Sequence, residues 1–217
     1  MLKKLVGKYA ADLVKDGDVI GLGTGSTTLE FIKSLGERIK KEGIEVYGIP
    51  TSFQSKILGI ENKINIVSID QYVPEKSFDG ADEVDPNNFL IKGRGAALLQ
   101  EKIIDYSAKE FYVLVDESKL VKRLGEKAKI PIEVIPSAWK IVSEKLKDLS
   151  PELRMAVKKD GPVITDNGNF IIDLKFSVED PEEKEKELNN IPGVIENGIF
   201  TRKCKVLIGT KEGVKKI

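Results

Sequence analysis

Short apolar strands alternate with helices over the first half of the chain, and this alternation most constrains the fold. Buried-strand patterns occur at residues 19–22, 46–49, 64–69 and 109–115, and helical periodicity is clearest at residues 29–39. Strands that are apolar on both faces are typical of a parallel sheet with helices packed on each side. The sequence therefore predicts an α/β fold built on a Rossmann-like parallel sheet with helices on both faces.

The pattern changes from residue 130 onward. The predicted elements are a strand at 132–135, a helix at 138–149, a strand at 153–157, a hairpin at 163–176, a helix at 181–190 and a strand at 193–201. The hairpin carries Asn167-Gly168, a strong two-residue turn signal. The order β-α-β-β-α-β is that of a small ferredoxin-like α+β unit.

These two patterns predict two domains. A last apolar strand at residues 205–210 is expected to rejoin the first sheet. We therefore expect residues 1–129 and 204–217 to form the Rossmann-like catalytic domain. Residues 130–203 are expected to form the ferredoxin-like domain, which supplies packing, pocket walls or oligomer contacts.

Composition narrows the classes of function. Lys plus Arg and Asp plus Glu both number 35, so no excess positive charge favours nucleic acid or a membrane surface as a partner. The chain has no His and one cysteine, Cys204, which removes Cys/His zinc sites and an intrachain disulfide. No apolar run approaches the roughly 20 residues of a membrane helix. We expect a cytoplasmic protein whose proton transfers use carboxylates, lysine, tyrosine or the thiol.

A glycine-rich turn follows the first strand and precedes a helix. It contains Gly21, Gly23 and Gly25, together with hydroxyl residues at Thr24, Ser26, Thr27 and Thr28. Amides at a helix N-terminus, with hydroxyls beside them, suit a phosphate. The dinucleotide and methyltransferase patterns fail because no acid for a ribose follows the second strand, and the Walker pattern lacks its lysine. A phosphate cradle is favoured over a purely structural turn.

Residues 79–101 concentrate ionisable groups around a very short strand. An acidic turn (79–88, DGADEVDPNN) precedes apolar residues 89–91, and a Lys-Gly-Arg-Gly turn (92–95) leads into a helix predicted to start at Gly95 or Ala96. Glu101 would then lie about one and a half turns into that helix, where it can face the same pocket as Lys92. The carboxyl ends of parallel strands meet at one edge, so these turns, the glycine turn and Lys119 are expected in one crevice.

Three stretches resemble the type A ribose-5-phosphate isomerase family: residues 23–27 (GTGST), 79–83 (DGADE) and 92–98 (KGRGAAL), the last leading to Glu101. Later segments agree in order over essentially the whole chain, namely 116–119 (DESK), 131–136 (PIEVIP), 165–169 (TDNGN), 191–194 (IPGV) and 207–210 (LIGT). One departure is Gln100, where family members often carry Arg.

The resemblance implies interconversion of ribose 5-phosphate and ribulose 5-phosphate through an enediolate, in the non-oxidative pentose phosphate pathway, with no cofactor and no metal. It implies Glu101 as the base, Lys92 beside the developing oxyanion, and Asp79 and Asp82 on the sugar hydroxyls and in ring opening. The substrate-binding positions that it implies are Thr24, Gly25, Ser26, Thr27, Asp79, Gly80, Ala81, Asp82, Lys92, Gly93, Arg94, Gly95 and Lys119. Lys3 is a weaker phosphate candidate.

Other interpretations remain beside the isomerase. A sugar-phosphate sensor of the repressor type would need a DNA-reading module, and no helix-turn-helix pattern precedes Val19. A magnesium-dependent phosphohydrolase would use Asp79, Asp82, Glu83 and Asp85 as ligands. Coenzyme A transferases share the fold superfamily but have a much longer two-part architecture. The expected partners are a small sugar phosphate and further copies of the chain, as a homodimer or homotetramer.

Overall fold

The computed structural model describes all 217 residues, which fall into two units. Unit 1 comprises Met1–Ala81, Gln100–Lys119 and Lys203–Ile217, and unit 2 comprises Asp82–Leu99 and Leu120–Arg202. None of the helices is both long enough and apolar enough to cross a membrane.

The elements are numbered along the chain. The helices are α1 (Leu2–Asp12), α2 (Ser26–Glu42), α3 (Phe53–Glu61), α4 (Leu98–Ser107), α5 (Trp139–Lys145) and α6 (Pro181–Asn189). The strands are β1 (Val19–Leu22), β2 (Tyr47–Pro50), β3 (Asn65–Ile66), β4 (Lys76–Gly80), β5 (Glu83–Val84), β6 (Leu90–Ile91), β7 (Glu110–Asp116), β8 (Ile130–Val134), β9 (Glu152–Leu153), β10 (Phe170–Leu174), β11 (Val194–Asn197), β12 (Ile199–Phe200), β13 (Lys205–Thr210) and β14 (Gly213–Lys216). Short 3-10 turns occur at Glu117–Lys119, Pro136–Ala138 and Lys147–Leu149.

Unit 1 contains a seven-stranded sheet in the order β14-β13-β7-β4-β1-β2-β3. Every neighbouring pair is parallel except β13 and β14, which form an antiparallel hairpin at one edge. The predicted α/β class is confirmed, and the strand at 205–210 rejoins this sheet beside β7 as expected. Because β1, β2, β4 and β7 are parallel, their carboxyl ends lie along one edge of the sheet.

Aromatic packing in unit 1 joins the sheet to α2. Phe31 of α2 stacks on Phe78 of β4 with ring centroids 4.6 Å apart, and Phe78 stacks on Tyr112 of β7 at 5.1 Å. Each such pair contributes about 0.5–1.5 kcal/mol beyond its buried area. The stack fixes β4 and β7 against the helix that follows the glycine turn, and thereby fixes the strand ends where the candidate site lies.

Unit 2 contains the predicted ferredoxin-like arrangement. Its four-stranded sheet has the order β11-β8-β10-β9, with every neighbouring pair antiparallel and with α5 and α6 as the two crossover helices. A small sheet in the order β12-β6-β5 completes the unit. The apolar cluster of this unit is rich in β-branched residues from the central strand β8, including Ile130, Ile132 and Val134, all fully buried.

Two segments fall in a different unit from the domain in which the sequence places them. The predicted domain boundaries themselves stay a prediction. Residues 82–99 and 120–129 were expected in the catalytic domain, whereas their contacts lie within unit 2. For residues 82–99 the reason is strand pairing, because β6 pairs with β12 and β5 pairs with β6. Residues 120–129 belong with them because Leu120 bridges to Val84 and three amides of residues 125–128 donate to Glu83. Local strand patterns cannot reveal this partner choice, because it depends on residues about a hundred positions later in the chain.

Candidate active site

The glycine turn after β1 is shaped by the close approach of β4. A Cβ on Gly23 would lie 2.2 Å from Asp79 Oδ1, and one on Gly21 would lie 2.4 Å from Ser77 Oγ. Side-chain carbons do not approach other atoms so closely, so both positions require glycine. Gly25 has φ +117°, a conformation that other residues rarely adopt, and it immediately precedes α2. The turn thus opens directly onto the N-terminus of a 17-residue helix.

Asp79, the penultimate residue of β4, is a fully buried carboxylate that organises this turn. Its Oδ1 accepts hydrogen bonds from the amide of Thr24 at 3.0 Å and from the amide of Gly80 at 2.7 Å. A buried carboxylate is retained only where donors compensate for its lost hydration. Asp79 therefore stands at the carboxyl edge of the parallel sheet, where small ligands bind in this class of fold.

The hydroxyl groups of the turn differ in their contacts and in their exposure. Thr24 Oγ1 lies 2.8 Å from Thr51 Oγ1 and donates to Ser52 Oγ at 2.6 Å, which links the turn to the end of β2 and the first residues of α3. Thr28 is buried and donates to the Gly25 carbonyl at 3.1 Å. Ser26 is exposed and Thr27 is partly buried. Ser26 thus carries the most exposed hydroxyl of the turn, and the Gly25 amide beside it donates to Gln54 Oε1 at 3.2 Å.

One lysine contacts the exposed Ser26 hydroxyl, and a second lies with it near Asp116. Lys3 of α1 donates a hydrogen bond to Ser26 Oγ at 2.8 Å. Lys119 ends the 3-10 turn that follows β7. Burial would raise the pKa of Asp116, but hydrogen bonds from Ser118 and the charges of Lys3 and Lys119 outweigh burial and hold that pKa below its ordinary value. Both ammonium groups therefore act on one region of unit 1.

These groups form what we call the anion cradle: the amides at the α2 N-terminus, Ser26, Lys3 and Lys119. A helix N-terminus carries a partial positive charge and unpaired amides, which favour a phosphate. Two lysines strengthen that preference, since an ammonium is a compact charge with three donors. That these groups bind a phosphate stays a prediction.

Glu101 lies in the first turn of α4 and is 4% exposed. The helix begins at Leu98, two to three residues later than the predicted start at Gly95 or Ala96, because Ala96 has a positive φ of 60° that no residue of a right-handed helix adopts. Its neighbours Lys102 and Asp105 are also buried. Asp105 accepts a hydrogen bond from Ser77 of β4 at 2.5 Å, which fixes the face of α4 that carries Glu101 four residues earlier.

Lys92 lies directly after β6 in unit 2, and its side chain is among the most deeply buried of the chain at 2% exposed. Its ammonium lies 5.4 Å from the centroid of the Phe200 ring, within reach of a cation–π interaction. Its amide donates to the Gly198 carbonyl at 2.9 Å. Gly198 must be glycine, since a Cβ there would lie 2.4 Å from the Lys92 carbonyl oxygen. Gly198 thus holds the backbone amide of this lysine, and Phe200 of β12 packs against its ammonium.

Asp82 and Arg94 contact each other within unit 2. Asp82 Oδ2 accepts a hydrogen bond from the Arg94 amide at 3.0 Å, and its other oxygen lies 3.8 Å from Arg94 Nε. The Arg94 side chain is 76% exposed, so this ion pair is weak. The backbone hydrogen bond is the stronger link, and it holds the acidic turn to the turn of residues 92–95.

Two carboxylates of the magnesium alternative are occupied by backbone amides. Glu83 is fully buried and accepts hydrogen bonds from the amides of Gly125, Lys127 and Ala128 at 2.5–2.7 Å. Asp85 Oδ1 accepts from two amides of its own turn. No group of three or more His, Cys, Asp or Glu side chains has an arrangement that could hold a metal ion. These carboxylates therefore organise loops.

The structure brings the predicted residues together in two sets. In unit 1, Thr24 and Gly80 contact Asp79, and Ser26 contacts Lys3. In unit 2, Asp82 contacts the backbone of Arg94. That all of these turns line one crevice stays a prediction.

Sequence reasoning missed Thr51 and Ser52, whose hydroxyls bind Thr24, and Phe200 beneath Lys92. The position of Thr51 directly after β2, next to β1 in the sheet, was the available signal.

Comparisons with known proteins agree with this fold. The family model for ribose 5-phosphate isomerase A (phosphoriboisomerase A) matches residues 47–213. The ribose-5-phosphate isomerase A of Methanocaldococcus jannaschii is 58% identical over 99% of this chain and 96% of the relative. That of Pyrococcus horikoshii is 58% identical over all of this chain and 97% of the relative.

A solved structure of a D-ribose-5-phosphate isomerase in complex with phospho-erythronic acid is 58% identical to this chain. It superposes with a TM-score of 0.97 over 100% of this chain and 97% of the other. The fold and these relatives define an α/β enzyme of the isomerase class. The chain belongs to the ribose 5-phosphate isomerase A family.

Proposed function

We propose that this enzyme interconverts D-ribose 5-phosphate and D-ribulose 5-phosphate through an enediolate. The observation that carries the proposal is the relative that binds phospho-erythronic acid and superposes on this chain over its whole length. That ligand has a phosphate at one end and a carboxylate at the other. A carboxylate shares negative charge between two oxygens, as an enediolate does, so it stands in for the reaction intermediate.

The anion cradle of unit 1 supports a phosphorylated substrate. Lys3, Lys119, the Ser26 hydroxyl and the α2 amides offer positive charge and donors in one region. We assign the phosphate of the substrate to these groups, with Gly25 and Thr27 contributing their backbone amides. The phosphate would take the place of Gln54 Oε1, to which the Gly25 amide donates at 3.2 Å. Thr24 serves through its contacts, since its amide donates to Asp79 and its hydroxyl to Ser52.

The proton transfer is assigned to Glu101. In the open-chain aldose the proton on C2 is weakly acidic because the charge left by its removal is delocalised onto the carbonyl oxygen O1. Glu101 removes this proton and returns a proton to C1, while the hydroxyl proton of O2 passes to O1. Together these transfers yield the ketose and regenerate the carboxylate. The chain has no histidine, and Glu101 is a carboxylate held in the first helical turn and shielded from water. A positioned base contributes about a hundred- to ten-thousand-fold in rate.

Stabilisation of the developing oxyanion is assigned to the ammonium group of Lys92. A donor that is already in place costs no reorganisation during the reaction, and Lys92 is held at its amide and over the Phe200 ring. Asp79 and Asp82 are assigned to the sugar hydroxyls and to opening of the furanose ring. Gly80, Ala81, Gly93, Arg94 and Gly95 line the substrate through backbone groups.

The decisive experiment incubates the purified chain with ribose 5-phosphate in EDTA and deuterium oxide. We expect ketose formation, with solvent deuterium in part of the product at the carbon that receives the proton, because the protonated Glu101 carboxyl exchanges with solvent before it returns its proton. Release of inorganic phosphate in place of ketose would overturn the proposal. Ketose without any deuterium would contradict the enediolate step.

The proposal extends to the oligomeric state of the enzyme, its metabolic pathway and its cellular location. α3 carries exposed apolar side chains at helical spacing, Phe53 (61% exposed), Ile57 (56%) and Ile60 (55%), which suits contact with a second copy in a homodimer or homotetramer. A reaction on two pentose phosphates fits the non-oxidative pentose phosphate pathway. The lone Cys204 suits a reducing, cytoplasmic setting. Light scattering of the purified protein tests the assembly directly.

A further inference from the structure

Arg154 follows β9 and makes an unusual set of contacts within unit 2. Its Nε and Nη2 donate to the two carboxylate oxygens of Asp173 at 2.8 and 2.5 Å. Its Nη1 donates to the backbone carbonyls of Gly93 and Arg94, each at 3.0 Å. Both side chains of the pair are mostly buried, at 17% and 14% exposed. One guanidinium therefore fastens two successive peptide groups of the Lys92 turn to β10.

Peptide geometry extends the effect of these two hydrogen bonds. In a trans peptide the carbonyl and the following N–H point in opposite directions. With the Gly93 and Arg94 carbonyls turned toward Arg154, the amides of Arg94 and Gly95 point away from it. The Arg94 amide donates to Asp82 on that opposite side, as this geometry requires. Arg154 and Asp82 thus bind the two opposite edges of the Gly93–Arg94 peptide group, its carbonyl and its N–H.

The turn supplies one restraint of its own, because the Ala96 amide donates to the Gly93 carbonyl at 3.0 Å, and Arg154 adds to it. Glycine at positions 93 and 95 allows many backbone conformations, and ordering each residue costs about 1–2 kcal/mol. Gly93 has φ +98°, and Ala96 has φ +60°. Lys92 is held at its amide by Gly198 and at its ammonium over Phe200, and the Gly93 peptide that Arg154 binds forms the other side of the same residue.

We propose that Arg154 is a positioning residue for the isomerase reaction, and this inference rests on the role proposed above for Lys92. By holding the Gly93 and Arg94 carbonyls, it keeps the Lys92 ammonium and the Gly95 amide in the orientation that the developing oxyanion requires. Asp173 takes part by orienting the guanidinium through a two-point contact. Lysine cannot replace arginine here, because one ammonium cannot serve a carboxylate and two carbonyls in a planar fork.

The chain offers a matched control in unit 1. Arg38 forms the same kind of contact set, with Nε and Nη2 on Glu42 at 2.7–3.2 Å and Nη1 on the carbonyls of Ala11 and Val14 at 2.5 and 2.9 Å. It joins α2 to α1 and touches none of the turns assigned to substrate. A variant at Arg38 therefore reports the purely structural loss of such an arginine.

The experiment compares Arg154→Ala, Arg154→Lys and Asp173→Asn with Arg38→Ala. For each protein, kcat and KM for ribose 5-phosphate, the thermal unfolding midpoint and the affinity for phospho-erythronic acid by calorimetry are measured. We expect each change at Arg154 to lower kcat by about tenfold or more, since small misplacements of reacting groups are costly. In the Arg154 variants the affinity for phospho-erythronic acid should fall, whereas the inhibition constant of inorganic phosphate should be unchanged. Arg38→Ala should lower only the unfolding midpoint.

Added guanidinium ion gives a second readout. It should restore part of the kcat of Arg154→Ala and leave Arg38→Ala unchanged. The proposal is overturned if the Arg154 variants keep kcat and ligand affinity while losing stability as Arg38→Ala does, and Asp173→Asn decides the matter if Arg154→Ala does not fold. A wild-type protein that forms no ketose would instead refute the proposed function, while calorimetry would still test Arg154.

Discussion

The Asp79 carboxylate accepts a hydrogen bond from the Thr24 amide at 3.0 Å, which fastens the end of β4 to the glycine turn after β1. The two strands are direct neighbours in the sheet, and the contact is possible only because residue 23 has no side chain. The carboxylate assigned to the sugar and the turn assigned to its phosphate are thus mechanically coupled. Disturbing one should disturb the other.

Gly23→Ala tests this coupling. The new Cβ would lie 2.2 Å from Asp79 Oδ1 and 2.6 Å from Asp79 Cα, and a backbone atom cannot yield as a flexible side chain does. We expect a loss of about a hundredfold in kcat/KM and weaker inhibition by inorganic phosphate.

The control for that change is Gly43→Asn at the C-terminus of α2, where a left-handed residue follows the helix and Asn is tolerated. It should keep activity. A Gly23→Ala enzyme with unchanged kcat/KM would show that Asp79 is not held by this contact in the way that we describe.

Glu101→Gln tests the base. Glutamine keeps the size and polarity of the side chain and cannot accept the substrate proton, so kcat should fall by about a hundred- to ten-thousand-fold. Affinity for phospho-erythronic acid should change little, because the ligand undergoes no proton transfer.

Glu182→Gln is the matched control for this base. Glu182 is an exposed glutamate in the first turn of α6, and its loss should leave kcat unaltered. Near-normal turnover by Glu101→Gln would remove Glu101 from the proposed mechanism.

Lys119→Met tests the anion cradle. Loss of one ammonium beside a phosphate should raise KM and the inhibition constant of inorganic phosphate by about five- to tenfold, with a smaller effect on kcat. The wild-type affinity should also fall as salt is added, because exposed charges are screened.

Two further variants frame the result for Lys119. Lys3→Met should act in the same direction, since Lys3 contacts the Ser26 hydroxyl. Lys8→Met, an exposed lysine on the same helix as Lys3, should have no effect on either constant. Equal phosphate affinity in all four proteins would place the phosphate elsewhere.

Much of this molecule could be predicted from local sequence because its signals are local. Alternating apolar strands and helices predicted the parallel sheet, and the glycine turn predicted the start of α2, whereas phosphate binding at that turn stays a prediction. The Lys92 turn was likewise visible as a cluster of charge and glycine. Each of these features depends on residues that are close together in the chain.

The remainder depends on contacts between distant residues. The guanidinium of Arg154 binds carbonyls 60 and 61 positions earlier, and the Thr24 hydroxyl binds Thr51, 27 positions later. No periodicity reports such contacts. The predicted start of α4 was wrong for another reason. Ala96 adopts a left-handed conformation that alanine seldom takes and that composition alone does not reveal.

Glu83 gives the sharpest stability prediction. The sequence offered it as a magnesium ligand, but its two oxygens accept three backbone amides from residues 125–128 while fully buried. In Glu83→Gln the new amide group must face a backbone N–H, so one charge-assisted hydrogen bond is replaced by two opposed donors. We expect a loss of about 2–4 kcal/mol in the free energy of unfolding.

Glu126→Gln is the control for Glu83, since Glu126 lies in the same loop, is exposed and accepts a single amide hydrogen bond from Lys122 at 3.0 Å. Its substitution should cost less than about 1 kcal/mol. Urea unfolding of both variants in EDTA, followed by circular dichroism, measures the difference. Because the interaction that Glu83 loses is with backbone amides, added magnesium should not restore stability to Glu83→Gln or increase that of the wild type. A magnesium-dependent rise in wild-type stability that Glu83→Gln abolishes would instead return this carboxylate to the role of a metal ligand.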